Sequence, residues 1–360
     1  MHEQQKIRKF FLKREWKWFL MFWKDLRANR TPMSFREKFF AYRKGFLVSI
    51  MSFSGINRKN YQQYLSSKAY CFSPNPNGCF ASTAENKLNI PYLLKDYPEY
   101  VPAYYLYKDA SGFLPLLAYK GDKSKRLDFY AFADLLNEKK ILACKPCFSR
   151  WGEGFMKVEV KDEMFYINGT HYPVMEFMAE ILSLNNYIVT EYVQQHPYAQ
   201  AVHPESVNTI RMLCIWDYDA QTFFLARCFQ RFGTSHSVVD NLKSGSGMAV
   251  LIDPETGVLS DRILVNIEKK GYRNESVLKH PDTDIFLPGI QIPHWNTMKE
   301  KIIEISNRIS FIKYMGYDVV ITPDSFKILE INSKSGLNTL QVYDPLFTDL
   351  RIKKSLMYTL

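Results

Sequence analysis

This sequence lacks both a long apolar run and a dense set of cysteines. No segment approaches the roughly 18 uninterrupted apolar residues of a membrane-spanning helix. The first residues, Met-His-Glu-Gln-Gln-Lys, lack the apolar stretch and small-residue cleavage site of a signal peptide. The six cysteines are scattered over 360 residues, unlike those of a small secreted scaffold. We therefore expect reduced thiols and a cytoplasmic protein.

The positive charge is confined to one end of the chain. The net charge is +10, yet residues 1–47 hold 13 Lys/Arg against 4 Asp/Glu, so the remainder is nearly neutral. A uniformly basic groove is therefore not expected, and nucleic acid is not a predicted partner.

The basic segment has the spacing of an amphipathic helix. Apolar residues recur at helical intervals with lysines and arginines between them, from about Lys6 to Arg27. Two interpretations remain open. The aromatic stripe binds an anionic membrane surface, which would place residues 1–47 at the inner face of the membrane, or it packs on the protein itself or on a second subunit.

Beyond this segment, helices and strands alternate in an α+β pattern, with no internal repeat and no low-complexity tract. A polar, turn-rich stretch at 73–78 is a predicted lobe boundary. The predicted helices are 34–52, 86–96, 128–138, 174–184 and 295–315. The predicted strands are 103–108, 140–145, 155–160, 164–167, 187–193, 207–216, 222–230, 248–252, 317–321 and 326–331.

The last two strands carry the most informative polar residues. Glu330 and Asn332 are two apart and therefore share one face, and Asp318 joins them if the two strands form a hairpin. Apolar neighbours indicate buried strands, where unpaired carboxylates are unfavourable. Beside a nucleotide, Mg²⁺ needs a few hard oxygen ligands from the protein and open positions for phosphate oxygens. We therefore predict a magnesium site at Asp318, Glu330 and Asn332.

Two earlier segments have features of nucleotide binding. Lys145 ends a strand and is followed by a loop containing Ser149, Gly152 and Gly154, a combination that suits phosphate oxygens. The strand at 187–193 ends in Glu191-Tyr192-Val193, where backbone groups and apolar side chains can hold an adenine ring.

The order of these elements resembles the ATP-grasp superfamily over roughly residues 85–340. The segments His203-Pro-Glu-Ser-Val-Asn-Thr-Ile-Arg211 and Leu329-Glu-Ile-Asn332 look like its sugar-transfer-associated branch, found with genes for capsule and lipopolysaccharide assembly. The resemblance implies two α+β lobes sandwiching ATP, preceded by a helical segment. We divide the chain into a basic helical segment (1–72), an N-terminal lobe (73–140), a central subdomain (141–193) and a C-terminal subdomain with the metal site (194–360).

The resemblance also implies roles for individual residues. Lys145 and, from the N-terminal lobe, Lys87 would contact phosphates, and the loop from Ser149 to Gly154 would cover them. Glu191, Tyr192 and Val193 would line the adenine pocket, and the late acidic set would hold Mg²⁺. His196 and His203 would contact ribose or the acceptor, or cap the turns made by their adjacent prolines.

One departure concerns catalysis. Ligases such as the D-alanine ones have an arginine two residues before the metal aspartate, where this chain has Gly316. Arg211, Arg227 and Arg231 are candidates to supply that charge. The implied activity is an ATP-dependent ligase that joins a carboxylate to an amine or related nucleophile through an acyl phosphate. The expected cofactors are ATP and Mg²⁺, with a small-molecule or nucleotide-sugar substrate. A kinase on the same site and a non-catalytic scaffold at the membrane are the alternatives.

Overall fold

Two seven-stranded antiparallel sheets form the framework of the protein. The computed structural model of the chain describes residues 2–28, 33–149, 152–237, 239–240, 247–267, 271–273, 277–336, 340–342 and 344–359. From edge to edge, the first sheet has the strands 112–115, 104–109, 187–191, 141–146, 156–161, 164–167 and 170–172. The second has the strands 271–273, 259–267, 247–252, 222–233, 210–217, 314–321 and 326–332. The α+β class predicted from the sequence is therefore confirmed.

The first sheet is built from residues in the first half of the chain. Its strands are β1 (Tyr104–Asp109), β2 (Gly112–Pro115), β3 (Ile141–Pro146), β4 (Met156–Lys161), β5 (Met164–Ile167), β6 (Thr170–Tyr172) and β7 (Tyr187–Glu191). Helices α7 (Phe129–Lys139) and α8 (Val174–Ser183) pack on it through a core that includes Phe132, Phe177 and Leu142. Strands β1 and β2 thus share a sheet with residues 141–191.

The second sheet carries most of the apolar core. Its strands are β8 (Ile210–Asp217), β9 (Thr222–Gly233), β10 (Gly247–Ile252), β11 (Leu259–Ile267), β12 (Gly271–Arg273), β13 (Tyr314–Ile321) and β14 (Phe326–Asn332). Helix α10 (Trp295–Arg308) packs on it through Met298 and Ile302. A separate cluster joins Phe229 to helix α11 (Leu350–Thr359) through Ile352.

The predicted helix at 295–315 is too long. Helix α10 ends at Arg308, and Tyr314 and Met315 begin strand β13. Every residue of β13 is buried, so its apolar run lacks the alternation that identifies a half-buried strand. A continuous apolar run of this kind cannot be distinguished from a buried helix by periodicity alone.

The basic N-terminal segment folds into helices with a core of their own. They are α1 (His2–Ala28), α2 (Phe35–Lys44), α3 (Val48–Phe53) and α4 (Ser67–Phe72). Trp18, Phe22 and Phe46 are central in this core. The predicted helix at 34–52 is two helices, because Gly45 ends α2 with a left-handed φ of 79°.

Polar contacts attach the N-terminal helices to the second sheet. The buried amide of Asn77 donates to the Tyr314 carbonyl (2.7 Å) and accepts from the Tyr314 N–H (2.9 Å). Gln341 makes a similar pair of bonds with the backbone of Leu65. The remaining short helices are α5 (Ala81–Glu85), α6 (Ile90–Leu93) and α9 (Pro197–Val202). In the part of the chain that the structure describes, no helix combines the length and apolar character needed to cross a bilayer.

Candidate active site

A cavity of about 680 Å³ lies between the two sheets, and this is large enough for a nucleotide-sized ligand. Its first wall comes from β3, the loop that follows β3 and the end of β7. Its second wall comes from strands β8 to β11, β13 and β14. The sequence-predicted site residues that line it are Lys87, Lys145, Ser149, Gly152, Glu191, Tyr192, Val193, Arg211, Arg231, Asp318, Glu330 and Asn332. Residues from both halves of the chain therefore face one space.

The acidic side of the cavity is the β13–β14 hairpin. Asp318 lies opposite Glu330 in the ladder, and Gly316 lies opposite Asn332. The Asn332 amide nitrogen donates to Glu330 Oε1 (3.1 Å) and to the Gly316 carbonyl (3.2 Å), and neither bond uses its amide oxygen. The hairpin thus brings the three predicted metal ligands together.

The two carboxyl groups of this hairpin differ in their electrostatic surroundings. Burial alone would raise the pKa of Asp318, but the guanidinium groups of Arg211 and Arg231 hold it well below its ordinary value. Burial and the neighbouring Asp318 carboxylate both raise the pKa of Glu330. Glu330 is therefore the carboxylate that gains most from an additional cation.

Arg211 reaches Asp318 from the neighbouring strand. The two residues are paired across β8 and β13, and Arg211 donates from Nε to Oδ1 and from Nη2 to Oδ2 (3.0 Å). A Cβ at Gly316 would lie 3.4 Å from Arg211 Cδ and only 1.8 Å from Ser335 Oγ. The missing side chain at Gly316 therefore leaves room for Arg211 and Ser335 beside the aspartate.

The guanidinium of Arg231 is a second positive charge beside Asp318, and Thr209 and Asp240 hold it in place. Its Nη2 lies 2.9 Å from Asp318 Oδ2, its Nε donates to Thr209 Oγ1 (3.0 Å), and Nε is also 3.6 Å from Asp240 Oδ2. Burial would lower the pKa of Arg231, but Asp240 and Asp318 together raise it above its ordinary value. The guanidinium stays charged.

Thr209 and Asp240 were not identified from the sequence. Asp240 accepts from the Thr209 backbone N–H (2.7 Å), and both residues line the cavity. Thr209 lies within the Ser-Val-Asn-Thr-Ile-Arg run that the sequence singles out. No local pattern signals that Asp240, some thirty residues later, returns to it.

The basic side of the cavity holds two lysines. Lys87 Nζ lies 3.3 Å from Glu330 Oε2 and donates to both the carbonyl oxygen and the hydroxyl of Ser149 (3.2 Å each). Its backbone N–H donates to the Cys147 carbonyl (3.0 Å), which attaches it to the end of β3. Burial, reinforced by the charge of Lys87, lowers the pKa of Lys145 to about 8.

The loop after β3 needs glycine at two positions. Gly152 and Gly154 have φ of 75° and 74°, in the left-handed region. A Cβ at Gly152 would lie 2.9 Å from Val239 Cγ1, and one at Gly154 would lie 2.8 Å from the Tyr187 hydroxyl. Gly152 faces the cavity, whereas Gly154 lies behind it. Residues 150 and 151 of the predicted phosphate loop are outside the described residues.

The end of β7 forms the remaining part of the first wall. Glu191 is bound to Ala103 through its backbone N–H (2.8 Å to the Ala103 carbonyl) and through Oε2, which accepts from the Ala103 N–H (3.0 Å). The strand ends there, so the backbone of Tyr192 and Val193 lies beyond the β7 ladder. Burial and the nearby Glu159 carboxylate raise the pKa of Tyr192 to about 12, so its hydroxyl is neutral.

The profile of the sugar-transfer associated ATP-grasp family matches residues 72–352. The chain belongs to this family. The family predicted from the sequence is thus confirmed, and with it the ATP-grasp fold. No curated protein matches the sequence.

Solved ATP-grasp structures resemble this chain at low identity. One is the ATP-grasp ligase PsnB, solved in complex with a phosphomimetic variant of its minimal precursor, Mg and ADP. Its sequence is 13% identical, the alignment covers 79% of this chain and 61% of the PsnB chain, and the TM-score is 0.42. The D-alanine–D-alanine ligase of Bacillus anthracis is 12% identical over 78% of this chain and 70% of that chain, with a TM-score of 0.39. This chain spans about three fifths of the PsnB chain's length.

Besides Gly154, two residues assigned to the site from the sequence lie outside the cavity of this ATP-grasp chain. Arg227 is on β9, but a register shift between β8 and β9 interrupts the ladder beside it, and its Nη1 donates to the Ala226 carbonyl (2.9 Å). The His196 ring accepts from the Tyr198 N–H (3.1 Å) and caps helix α9. Neither residue lines the cavity, so of the three arginine candidates only Arg211 and Arg231 reach it, and the capping alternative describes His196.

The N-terminal helices contribute to the cavity although almost all of their residues precede the family match. Ile50, Tyr70 and Cys71 line it. The Tyr70 hydroxyl donates to the Ser335 carbonyl (2.5 Å), and Lys334 Nζ lies 4.9 Å from the centre of the Tyr70 ring. No sequence motif indicates this contribution, because it depends on contacts more than 250 residues apart in the chain.

Proposed function

We propose that this protein is a Mg-ATP-dependent ligase that activates a carboxylate, on a sugar or an amino acid, and joins it to an amine or related nucleophile. The observation that carries the proposal is the pairing of opposite charges across one cavity. Lys145 on the first wall and Lys87 beside it face Glu330, while Arg211 and Arg231 flank Asp318 on the second wall. Such a space suits a polyphosphate with its counter-ion, and the family membership supports the same activity.

The donor set fits Mg²⁺. The pKa of Glu330 is raised by burial and by the Asp318 carboxylate, a repulsion that a bound cation would relieve, and Asn332 has an amide oxygen not used in its bonds to Glu330 and Gly316. Glu330, Asn332 and Asp318 would hold the ion, with water and phosphate oxygens as its other ligands. When bound, Mg²⁺ would neutralise charge on the phosphate oxygens.

The remaining residues of the cavity would orient the nucleotide. The Lys145 and Lys87 ammonium groups would bind phosphate oxygens, and the loop containing Gly152 would close over them. Beyond the β7 ladder, the backbone of Tyr192 and Val193 would meet the adenine edge. The nucleotide would thus span the space from the end of β7 to the hairpin.

The two arginines define the reacting end. A carboxylate oxygen of the substrate would attack the γ-phosphorus and release ADP, and the nucleophile would then attack the acyl carbon and release phosphate. Both steps build negative charge on oxygens, so the main requirement is fixed positive charge. Arg211 and Arg231 supply it, Arg211 in place of the arginine that D-alanine ligases carry where this chain has Gly316.

The products decide between this reaction and its alternatives. A screen of Mg-ATP with nucleotide-linked uronic acids and amines should release free phosphate in step with acceptor consumption. Phosphate retained on the acceptor would instead identify a kinase, and the absence of metal-dependent heat on ATP titration would identify a scaffold. Lys145→Ala and Glu330→Ala should lose turnover, whereas exchange of the exposed Lys125 for alanine should not. Full activity in both site variants would refute the assignment.

The cellular setting we propose is capsule or lipopolysaccharide assembly, with attachment to the inner face of the membrane through α1. The match to the sugar-transfer associated family supports the setting, and the outward surface of α1 supports the attachment. Trp16, Phe19, Leu20 and Trp23 are 61%, 39%, 48% and 43% exposed, while Trp18 on the opposite side is buried. Aromatic residues of this kind favour the membrane interface.

Charge on the same helix supports an anionic lipid surface. The exposed side chains around the aromatic stripe include Lys13, Lys17, Lys24 and Arg27. The acidic residues in this part of α1 are engaged with the protein, since Glu15 is bound to Lys68 Nζ (2.6 Å) and Asp25 accepts from the Ser49 N–H (3.1 Å). The sequence left open whether α1 binds a membrane or packs on the protein or a second subunit. The buried side of α1 packs on the protein's own core, and its exposed side is suited to a lipid surface.

Vesicle flotation tests the attachment. The protein should float with phosphatidylglycerol-containing vesicles and not with phosphatidylcholine alone, because each basic residue near an anionic surface contributes about 1 kcal/mol. Trp16→Ala with Trp23→Ala should abolish flotation, whereas Tyr130→Ala, which removes an exposed aromatic ring from α7, should not. Equal behaviour of wild type and the double variant would exclude this surface.

A further inference from the structure

Two buried histidines and an aspartate converge at the end of β9, apart from the proposed magnesium ligands. His203 follows helix α9, and His280 and Asp282 belong to the segment after β12. The histidines are 2% and 1% exposed, and the Asp282 side chain is 37% exposed. One ligand atom from each of the three lies within 4.8 Å of the others.

Backbone carbonyls fix the orientation of both rings. His203 Nε2 lies 3.2 Å from the Ser237 carbonyl oxygen, and His280 Nε2 lies 2.8 Å from the Gly233 carbonyl oxygen. A carbonyl oxygen only accepts, so each Nε2 carries a proton, and Nδ1 is the ring nitrogen left to bind an ion. Metal-binding histidines are typically oriented by such an outer hydrogen bond.

Gly233 lets these rings approach the strand. A Cβ at this position would lie 2.6 Å from His203 Cδ2 and 2.7 Å from His203 Nε2. The carbonyl of the same residue holds His280. Any larger residue would displace His203, so the end of β9 is shaped around the two imidazoles.

The atoms that meet here are of the kinds that bind metals. His203 Nδ1 lies 4.0 Å from Asp282 Oδ2, which also accepts from the Ser235 N–H (2.6 Å). His280 Nδ1 accepts from the Asp282 N–H (3.3 Å) and lies 3.3 Å from the hydroxyl oxygen of Thr283, which donates to the Val202 carbonyl. Such an arrangement gains stability when a cation lies between the groups.

We propose that His203, His280 and Asp282 bind a divalent transition-metal ion, with Zn²⁺ the best match. Two imidazole nitrogens and one carboxylate are borderline ligands that suit zinc better than magnesium, and water would complete a tetrahedral set. The donors would have to approach one another by roughly half an ångström or more to meet zinc bond lengths of about 2.0–2.2 Å. To move, the half-exposed Asp282 carboxylate would exchange the Ser235 N–H bond on Oδ2 (2.6 Å) for the ion or bind the ion through Oδ1.

The ion would stabilise the two segments that hold Arg231 in the candidate active site. It would join the residues after α9 to the end of β9, and these two segments carry Thr209 and Asp240, which hold Arg231. The site would be structural, since none of its three ligands lines the cavity between the sheets. The inference does not depend on the proposed ligase activity.

The test is metal content together with zinc titration of the full-length protein. Protein dialysed against excess Mg²⁺ should retain about one equivalent of zinc by mass spectrometry, and zinc should raise the Tm of metal-stripped protein. His203→Ala and Asp282→Asn should weaken zinc binding by more than the roughly 10- to 100-fold lost with an outer-sphere partner. Asp282→Asn guards against misfolding, because its amide oxygen still accepts from the Ser235 N–H.

Two control variants distinguish this site from other ligands. His171→Ala removes an exposed histidine on β6, and Glu330→Gln alters the proposed magnesium site, so both should bind zinc as wild type does. Wild-type protein that holds less than about a tenth of an equivalent and shows no zinc-dependent change in Tm would overturn the proposal. Unchanged zinc affinity in both His203→Ala and Asp282→Asn would also overturn it.

Discussion

The buried Lys145 makes nucleotide affinity depend on pH in a predictable direction. Its pKa is lowered to about 8, so the ammonium charge is present below pH 8 and lost above it. If only the charged form binds phosphate, the competent fraction falls from about 0.9 at pH 7 to about 0.1 at pH 9. The dissociation constant of Mg-ATP should therefore rise about tenfold over this interval.

Substitution at this position separates the charge from other effects of pH. Lys145→Arg keeps a cation whose pKa is far above the range, so its affinity should be nearly constant between pH 7 and 9. Lys145→Met should bind weakly at every pH, and Lys125→Arg at an exposed position should reproduce the wild-type profile. Calorimetry at constant ionic strength gives the constants. A flat wild-type profile, or a full tenfold change in Lys145→Arg, would refute the reasoning.

Further predictions concern stability, each measured as the free energy of unfolding in urea. Arg231→Met should lose about 3–5 kcal/mol, because it leaves Asp318 with one guanidinium partner fewer in a buried setting; a loss below about 1 kcal/mol would contradict that pairing. Gly316→Ala should lower the free energy of unfolding by about 1–3 kcal/mol, because its Cβ would clash with Ser335. Adding Ser335→Ala should restore part of this loss, whereas strictly additive effects of the two substitutions would show that the two side chains do not meet. Asn77→Ala should lose about 1–3 kcal/mol by leaving backbone groups of the sheet unpaired, and a neutral effect would show that this link is dispensable.

Local patterns in the sequence were sufficient for the elements that carry the acidic residues. The spacing of Glu330 and Asn332 predicted a shared face, and the structure has it, with Asp318 opposite Glu330. These features depend on alternation within one hairpin, which a sequence records directly. The roles of the site residues remain predictions that the variants above address.

Features that depend on distant contacts were not predictable. Arg211 takes its place because Gly316, on a neighbouring strand, has no side chain, and Asp240 supports Arg231 from a separate loop. That Arg231 reaches the cavity and Arg227 does not also needed the structure, since the register shift beside Arg227 has no sequence signal. Likewise, the start of the all-buried strand β13 at Tyr314 has no signal in the periodicity of the sequence.

The central claim is that the β13–β14 hairpin and Lys145 bind one nucleotide between the two sheets. A crystal structure of the protein with Mg²⁺ and a non-hydrolysable ATP analogue tests it directly. The account predicts metal density between Glu330, Asn332 and the phosphates, with Lys145 Nζ within hydrogen-bonding distance of a phosphate oxygen. Nucleotide bound outside this cavity, or phosphates that contact neither Lys145 nor a metal on the hairpin, would contradict it.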